Sequence, residues 1–194
     1  MLLHRFVAPE ALELLDEIAR IARAASFRQM ITPGGSAMSV AMTNCGEVGW
    51  VSDRHGYRYD SVDPETGKPW PAMPASFRKI ALRAAEASGF ADFRPDACLI
   101  NRYRPGARMG LHQDKDEQDF RQPIVSVSLG LPAVFLFGSM TRKERPRRIP
   151  LENGDVVVWG GPARLAYHGI APLAEPNLLE PCEYRFNLTF RKAR

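Results

Sequence analysis

The sequence predicts an α+β fold, with two amphipathic helices in the N-terminal half followed by a barrel or double-sheet jelly roll of short strands. Three observations predict it: helical spacing of apolar residues in two early segments, period-two or continuous β-rich runs after Asp96, and turn-forming residues between those runs. At 194 residues with no linker-like stretch, the chain reads as one domain able to bury a core.

From Pro9 to about Ala25, Leu12, Leu15, Ile18, Ala19 and Ala22 recur at helical spacing, and Pro9 suits a first helical turn. A second helix is expected from Pro74 to Ser88, with Phe77, Ile80, Ala81 and Ala84 on one face and Gly89 at its end. The strands follow as Ala97 to Tyr103, Ile124 to Leu131, Ala133 to Phe137, Asp155 to Trp159 and Glu183 to Arg191. Arg104-Pro105-Gly106 is shaped for a type II turn and Asn153-Gly154 for a tight hairpin.

Hydrophobic residues at 45% and charged residues at 25% exclude the disordered and fibrous classes. Cys45, Cys98 and Cys182 are an odd, widely spaced set without a CxxC pair, so neither a disulfide framework nor a thiolate zinc site is indicated. Met1 to Phe6 lacks the apolar core of a signal peptide, and no run approaches the roughly 18 apolar residues of a membrane span. A cytoplasmic protein without a membrane partner is expected, with a monomer as the default. A net charge of +4 and a pI near 9.1 favour an acidic partner such as nucleic acid.

His112-Gln113-Asp114 puts an imidazole and a carboxylate on one side of an extended segment. His168, beyond the strand ending at Trp159, could join them across a neighbouring strand. Two histidines and one carboxylate make a facial triad, which leaves three adjacent positions on iron(II) for a bidentate cosubstrate and dioxygen; zinc would prefer a more closed tetrahedron. Taken alone, the same residues also read as a solvated loop and a hydrogen-bonded histidine.

In Glu183 to Arg191 the alternation is complete, with Tyr184, Phe186, Leu188 and Phe190 on one face and Glu183, Arg185, Asn187, Thr189 and Arg191 on the other. A surface strand would send the polar face to water; a barrel strand would point it inward. In the second case Arg185 and Arg191, roughly 20 Å apart along the strand, could lean toward opposite ends of a small five-carbon dicarboxylate. Asn101 and Tyr103 share one face of their own strand and offer an amide and a phenol to the same anion.

Asn101-Arg102-Tyr103, Pro105-Gly106-Ala107, His112 to Glu117, Pro123 to Gly130, Gly154 to Gly161, Tyr167 to Ile170 and Arg185 to Arg191 together resemble the AlkB family of DNA-repair dioxygenases in its bacterial form. The resemblance runs from about Phe27 to Arg191 and takes in Thr43 to Gly46 and Lys68 to Pro74. It implies a double-stranded β-helix (jelly roll) core over about residues 97–191, supported by N-terminal helices, with a nucleotide-recognition lid over about 40–71, in a single dioxygenase domain spanning 1–194. It implies Fe(II) on His112, Asp114 and His168, with 2-oxoglutarate on Arg185 and Arg191 assisted by Asn101, Tyr103 and Asn187, and O2 as the second cosubstrate. Phe186 stands where such proteins often carry tyrosine, and Ala171 to Pro181 matches less well and is given no role.

Between Asn44 and Pro71, Trp50, Tyr57, Tyr59 and Trp70 interleave with Arg54, His55 and Arg58, a mixture able to stack on bases and contact phosphates or, equally, to pack on a sheet. By the resemblance, Trp50 and Tyr57 contact a damaged nucleotide with Arg58 and Tyr59 nearby, Met42 lines the lid, and Arg142 contacts phosphate. A carboxylate at Asp116 would favour a cationic N-methylated adenine or cytosine over the neutral base. The implied substrate is methylated DNA, single-stranded or with a flipped base, with RNA as a second candidate. Oxidative demethylation would release formaldehyde, succinate and carbon dioxide; the alternative is a 2-oxoglutarate oxygenase acting on a protein or metabolite.

Overall fold

A computed structural model describes residues 1–175 and 182–194, so that 176–181, most of the stretch left without a role, lies outside the described residues. In chain order its elements are β1 (Leu2–Leu3), α1 (Ala11–Ala24), β2 (Arg28–Ile31), β3 (Ala37–Gly46), β4 (Gly49–Asp53), β5 (Gly56–Asp60) and α2 (Ala75–Ala87). Then come β6 (Ala97–Tyr103), β7 (Met109–His112), β8 (Ile124–Gly130), β9 (Ala133–Phe137), β10 (Arg147–Leu151), β11 (Val156–Trp159), β12 (His168–Ile170) and β13 (Arg185–Arg191).

Among the described residues the strands form a seven-stranded sheet ordered β1-β11-β8-β13-β6-β3-β2, a four-stranded sheet ordered β10-β9-β12-β7, and the separate hairpin β4-β5. Neighbours pair antiparallel throughout. The two larger sheets face each other as a jelly roll, and the helices cover the outer face of the larger one. Leu14, Ile18 and Ile21 of α1 and Phe77, Ile80 and Ala84 of α2 join the outward Ile100, Val127, Leu188 and Phe190 in one core. A second core lies between the sheets, where Leu99, Tyr103, Val157 and Trp159 meet Phe135 and Ile170.

The predicted elements differ from these in instructive places. The buried stripe of α1 is Ala11, Leu14, Ile18 and Ile21, whereas Leu12 is 79% exposed; the helix is turned so that its larger aliphatic set meets the sheet. The change of pattern at Asp96 does not mark the start of the sheet, because β3 already pairs with β6 from Ala41↔Arg102 to Gly46↔Ala97. Arg104-Pro105-Gly106 turns as expected, with Gly106 at φ 79° and the Ala107 N–H donating to the Arg104 carbonyl at 3.0 Å. Asn153-Gly154 is not a hairpin. It is a corner that carries the chain from β10 in the smaller sheet to β11 in the larger one, with only Gly154 at positive φ, 89°.

Candidate active site

β13 builds the floor. It lies between β6 and β8, with Arg185 opposite Tyr103, Asn187 opposite both Asn101 and Ser128, and Thr189 opposite Ser126. Arg185, Asn187, Thr189 and Arg191 are all buried, so the polar face points between the sheets and not to water. Phe190 and Leu188 seal the opposite face against the helices.

β7 and β12 bring the histidines together by register, His168 directly opposite His112. A side chain at Gly169 would place its first carbon 2.5 Å from the Met109 carbonyl, so only glycine lets these strands approach this closely. Ligand atoms of His112, Asp114 and His168 lie within 4.8 Å of one another, the one such three-residue cluster among the described residues. Each histidine faces a main-chain carbonyl through Nδ1, His112 to Gly110 at 2.9 Å and His168 to Ala166 at 3.0 Å. A carbonyl only accepts, so Nδ1 carries the proton and both Nε2 lone pairs face Asp114, each 3.6 Å from one of its oxygens. This donor set suits a six-coordinate divalent ion with open positions.

Burial lowers the His112 pKa to about 4, helped by His168, which keeps the ring neutral and able to ligate even though its edge opens on a groove. Burial alone would raise the Asp114 carboxyl, but Arg191 and His168 hold it well below its ordinary value. Arg191 donates from Nε and Nη2 to Asp114 Oδ2 at 3.0 and 2.6 Å, leaving Oδ1 toward His112.

At the far end, Arg185 is 1% exposed and has no carboxylate within ion-pair range among the described residues. It lies over the Tyr103 ring at 4.9 Å and donates from Nη2 to Ser128 Oγ at 3.1 Å, while Nε and Nη1 have no partner. A buried guanidinium with two unpartnered nitrogens fits an anion such as a carboxylate. Asn101 donates to Asn187 and keeps its amide oxygen unpartnered. Asn187 itself is fully engaged, donating to Ser126 Oγ and the Val127 carbonyl and accepting from Thr189 and Asn101. It therefore fixes the strands around the site and has no donor to spare. Asn101, Tyr103, His112, His168, Asn187 and Arg191 line a narrow pocket of about 50 Å³.

That pocket adjoins a groove of about 620 Å³, and His112 and Arg191 belong to both. The groove wall carries Met42, Trp50, Tyr57, Asp116 and Arg142. Trp50 and Tyr57 stack at 5.6 Å with 13° between their planes, and the Trp50 indole N–H donates to Asp116 Oδ2 at 2.8 Å. Two expected contacts are elsewhere. Arg58 faces away and pairs with Asp53 at 2.9 Å and Asp60 at 3.6 Å, since it alternates with Tyr57 along β5. Tyr59 lies behind the wall and donates to Glu117 Oε1 at 2.6 Å.

Ser126, Ser128, Glu117 and Arg164 were not singled out from the sequence. The two serines had a readable signal, since they alternate with Val125, Val127 and Leu129 and so share the inward face of β8. No spacing pattern marks Arg164.

Residues 1–191 match the model of the 2OG-Fe(II) oxygenase superfamily. Over 193 residues, all of this chain and 89% of the relative, the sequence is 59% identical to the alpha-ketoglutarate-dependent dioxygenase AlkB of Salmonella typhimurium. It is 58% identical over the same span to the protein of that name from Escherichia coli. The solved structure of OsALKBH1 superposes with a TM-score of 0.82 at 29% identity, covering 98% of this chain and 96% of that one.

Proposed function

The chain belongs to the 2OG-Fe(II) oxygenase superfamily, and from that membership we propose that it demethylates N-alkylated bases of the 1-methyladenine and 3-methylcytosine type in DNA, using iron(II), 2-oxoglutarate and dioxygen. The observation that carries this reading is a two-histidine, one-carboxylate cluster that borders an aromatic groove on one side and, on the other, a narrow pocket whose Tyr103 wall lies against a buried arginine with two unpartnered nitrogens.

In this reading His112 and His168 hold iron through Nε2 and Asp114 through its carboxylate. Bound iron supplies the oxidation, in which dioxygen and 2-oxoglutarate give succinate and carbon dioxide while the N-methyl carbon gains a hydroxyl. Arg185 takes the distal carboxylate of 2-oxoglutarate beside Tyr103 and Asn101, Arg191 flanks the metal end, and Asn187 orients both neighbouring strands. Trp50 and Tyr57 offer a stacking wall for the base. Asp116 supplies the counter-charge that a methylated, cationic base needs and a neutral one does not. The hydroxymethyl group then leaves as formaldehyde, its hydroxyl proton passing to solvent while the C–N electron pair returns to the ring nitrogen, and the base leaves neutral. Arg142 contacts a phosphate of the strand. A base within a duplex cannot reach the buried cluster, so the substrate is single-stranded or flipped out. The chain acts as one domain over 1–194, with the aromatic hairpin region of about 40–71 as lid over the core of about 97–191, and as a monomer. Among the described residues no helix is long and apolar enough to cross a membrane.

The test is anaerobic loading with iron(II) and 2-oxoglutarate, then oxygen with single-stranded DNA or RNA carrying 1-methyladenine or 3-methylcytosine. Stoichiometric formaldehyde and unmodified base are expected. Succinate without formaldehyde from any methylated oligonucleotide would transfer the activity to a protein or metabolite substrate.

A further inference from the structure

Arg164 is a buried cation that the chemistry above does not use. It follows the short 3-10 turn Gly161–Ala163 and is 3% exposed. Its guanidinium reaches three acceptors on one loop. Nη1 donates to the Asp114 carbonyl at 2.8 Å, Nε to the Gln122 carbonyl at 3.0 Å, and Nη2 to Glu117 Oε2 at 3.0 Å. Phe120 covers it at 5.4 Å, which accounts for a phenylalanine left 39% exposed.

That loop joins β7 to β8 and carries Asp114. A second tie runs the same way, Gln113 Nε2 donating to the Leu165 carbonyl at 2.6 Å. The next carbonyl along, Ala166, fixes the ring of His168. The segment 161–166 thus grips the carboxylate ligand's loop with one hand and orients a histidine ligand with the other. Glu117 extends the grip, because it also accepts from Tyr59 at 2.6 Å and lies 3.4 Å from Arg191 Nε.

Building on the metal-site reading above, we propose that Arg164 is a positioning residue of the metal centre, setting where the Asp114 carboxylate stands relative to His168 without touching metal, cosubstrate or base. A guanidinium presents its donors in a planar fork, and three acceptors around one loop use that fork; a lysine at the same place can serve only part of them. Groups that orient metal ligands typically change metal affinity by about 10–100-fold when removed.

Metal-free full-length protein is titrated anaerobically with manganese(II), a redox-inert probe, by calorimetry, alongside thermal melting. Wild type is expected to bind one ion and His112→Ala none. Arg164→Lys is expected to melt cooperatively and bind manganese about 10–100-fold more weakly. Removing the cation alone would take from the buried Glu117 the closer of its two arginines, leaving Arg191 at 3.4 Å, so the second variant is Arg164→Met with Glu117→Gln, compared with Glu117→Gln alone. It should bind at least about tenfold more weakly than that reference. Wild-type affinity in Arg164→Lys, or equal affinity in the double variant and its reference, overturns the proposal whatever happens to the melting temperature. Wild type that binds no ion, or His112→Ala that binds as well as wild type, overturns the metal-site reading itself and this proposal with it.

Discussion

His112 meets the site already oriented by Gly110, and its lowered pKa has a pH consequence of definite sign. Between about pH 6.5 and about 4 the unfolded chain takes up a proton that the folded ring refuses, so the metal-free protein loses stability as pH falls through that window. Chemical denaturation at the two ends of the window should show a smaller loss in His112→Gln than in wild type. Asp114 behaves differently on replacement. His112→Ala removes a ligand bonded only to a carbonyl and should abolish turnover with little change in melting. Asp114→Ala also takes the closer of two carboxylates from the buried Arg191, leaving Glu117 at 3.4 Å, and the lost charge-assisted hydrogen bonds cost about 1.5–3 kcal/mol. At about 2–4 °C per kcal/mol for a chain this size, its melting temperature should fall by roughly 3–12 °C. Asp116→Asn keeps an acceptor for Trp50 but removes the negative charge. Its KM for a 1-methyladenine oligonucleotide should rise by about tenfold or more, the worth of a charge-assisted hydrogen bond, with manganese affinity unchanged.

Strand β12 is only three residues long, and its close approach to β7 depends on Gly169. Gly169→Ala should push the strands apart, cost about 1–3 kcal/mol in stability and weaken manganese binding, because His168 moves away from His112. Calorimetry and melting of the same sample check both. The β4-β5 hairpin stands apart from both sheets in pairing, so Trp50→Ala should lose about 1–3 kcal/mol of base stacking as a higher oligonucleotide KM while metal binding stays intact. How legible these elements were in the sequence follows from their length and periodicity. β6, β9 and β13 carry five to seven residues with β-rich or alternating patterns; β6 and β9 keep the expected bounds, and β13 begins at Arg185, two residues later than expected. β7 and β12 contain glycine and span four and three residues, too short for a period to declare itself. β10 reads as part of a charged run and holds a proline, which suits its place at a sheet edge.

For the molecule as a whole, the site's first two layers were legible and its support was not. Histidine, aspartate and arginine announce their chemistry by type, and the strict alternation of β13 announces the face that Arg185 and Arg191 share. Arg164 acts on residues 42 and 50 positions away, and such partnerships exist only after the chain has folded. The corner at Gly154 departs from the expected hairpin for the same reason, since a two-residue turn looks alike in sequence whether it closes a hairpin or links two sheets. The chain's net charge of +4 and the groove cations Arg108, Lys115 and Arg142 give a further expectation. If about three phosphates are neutralised, the logarithm of single-strand affinity should fall against the logarithm of salt with a slope of roughly −2, and Arg142→Ala should lower that slope by about 0.7.

β13 is buried on both faces, with four polar side chains toward the pocket and Leu188 and Phe190 toward the helices. A slip of one residue against β6 and β8 would exchange the two sets, stranding guanidinium groups in hydrocarbon and filling the pocket with aromatic rings. Mispaired chains would therefore be both unstable and inert. In this protein a one-residue error in the pairing of β13 is therefore an error in the fold and in the chemistry at once.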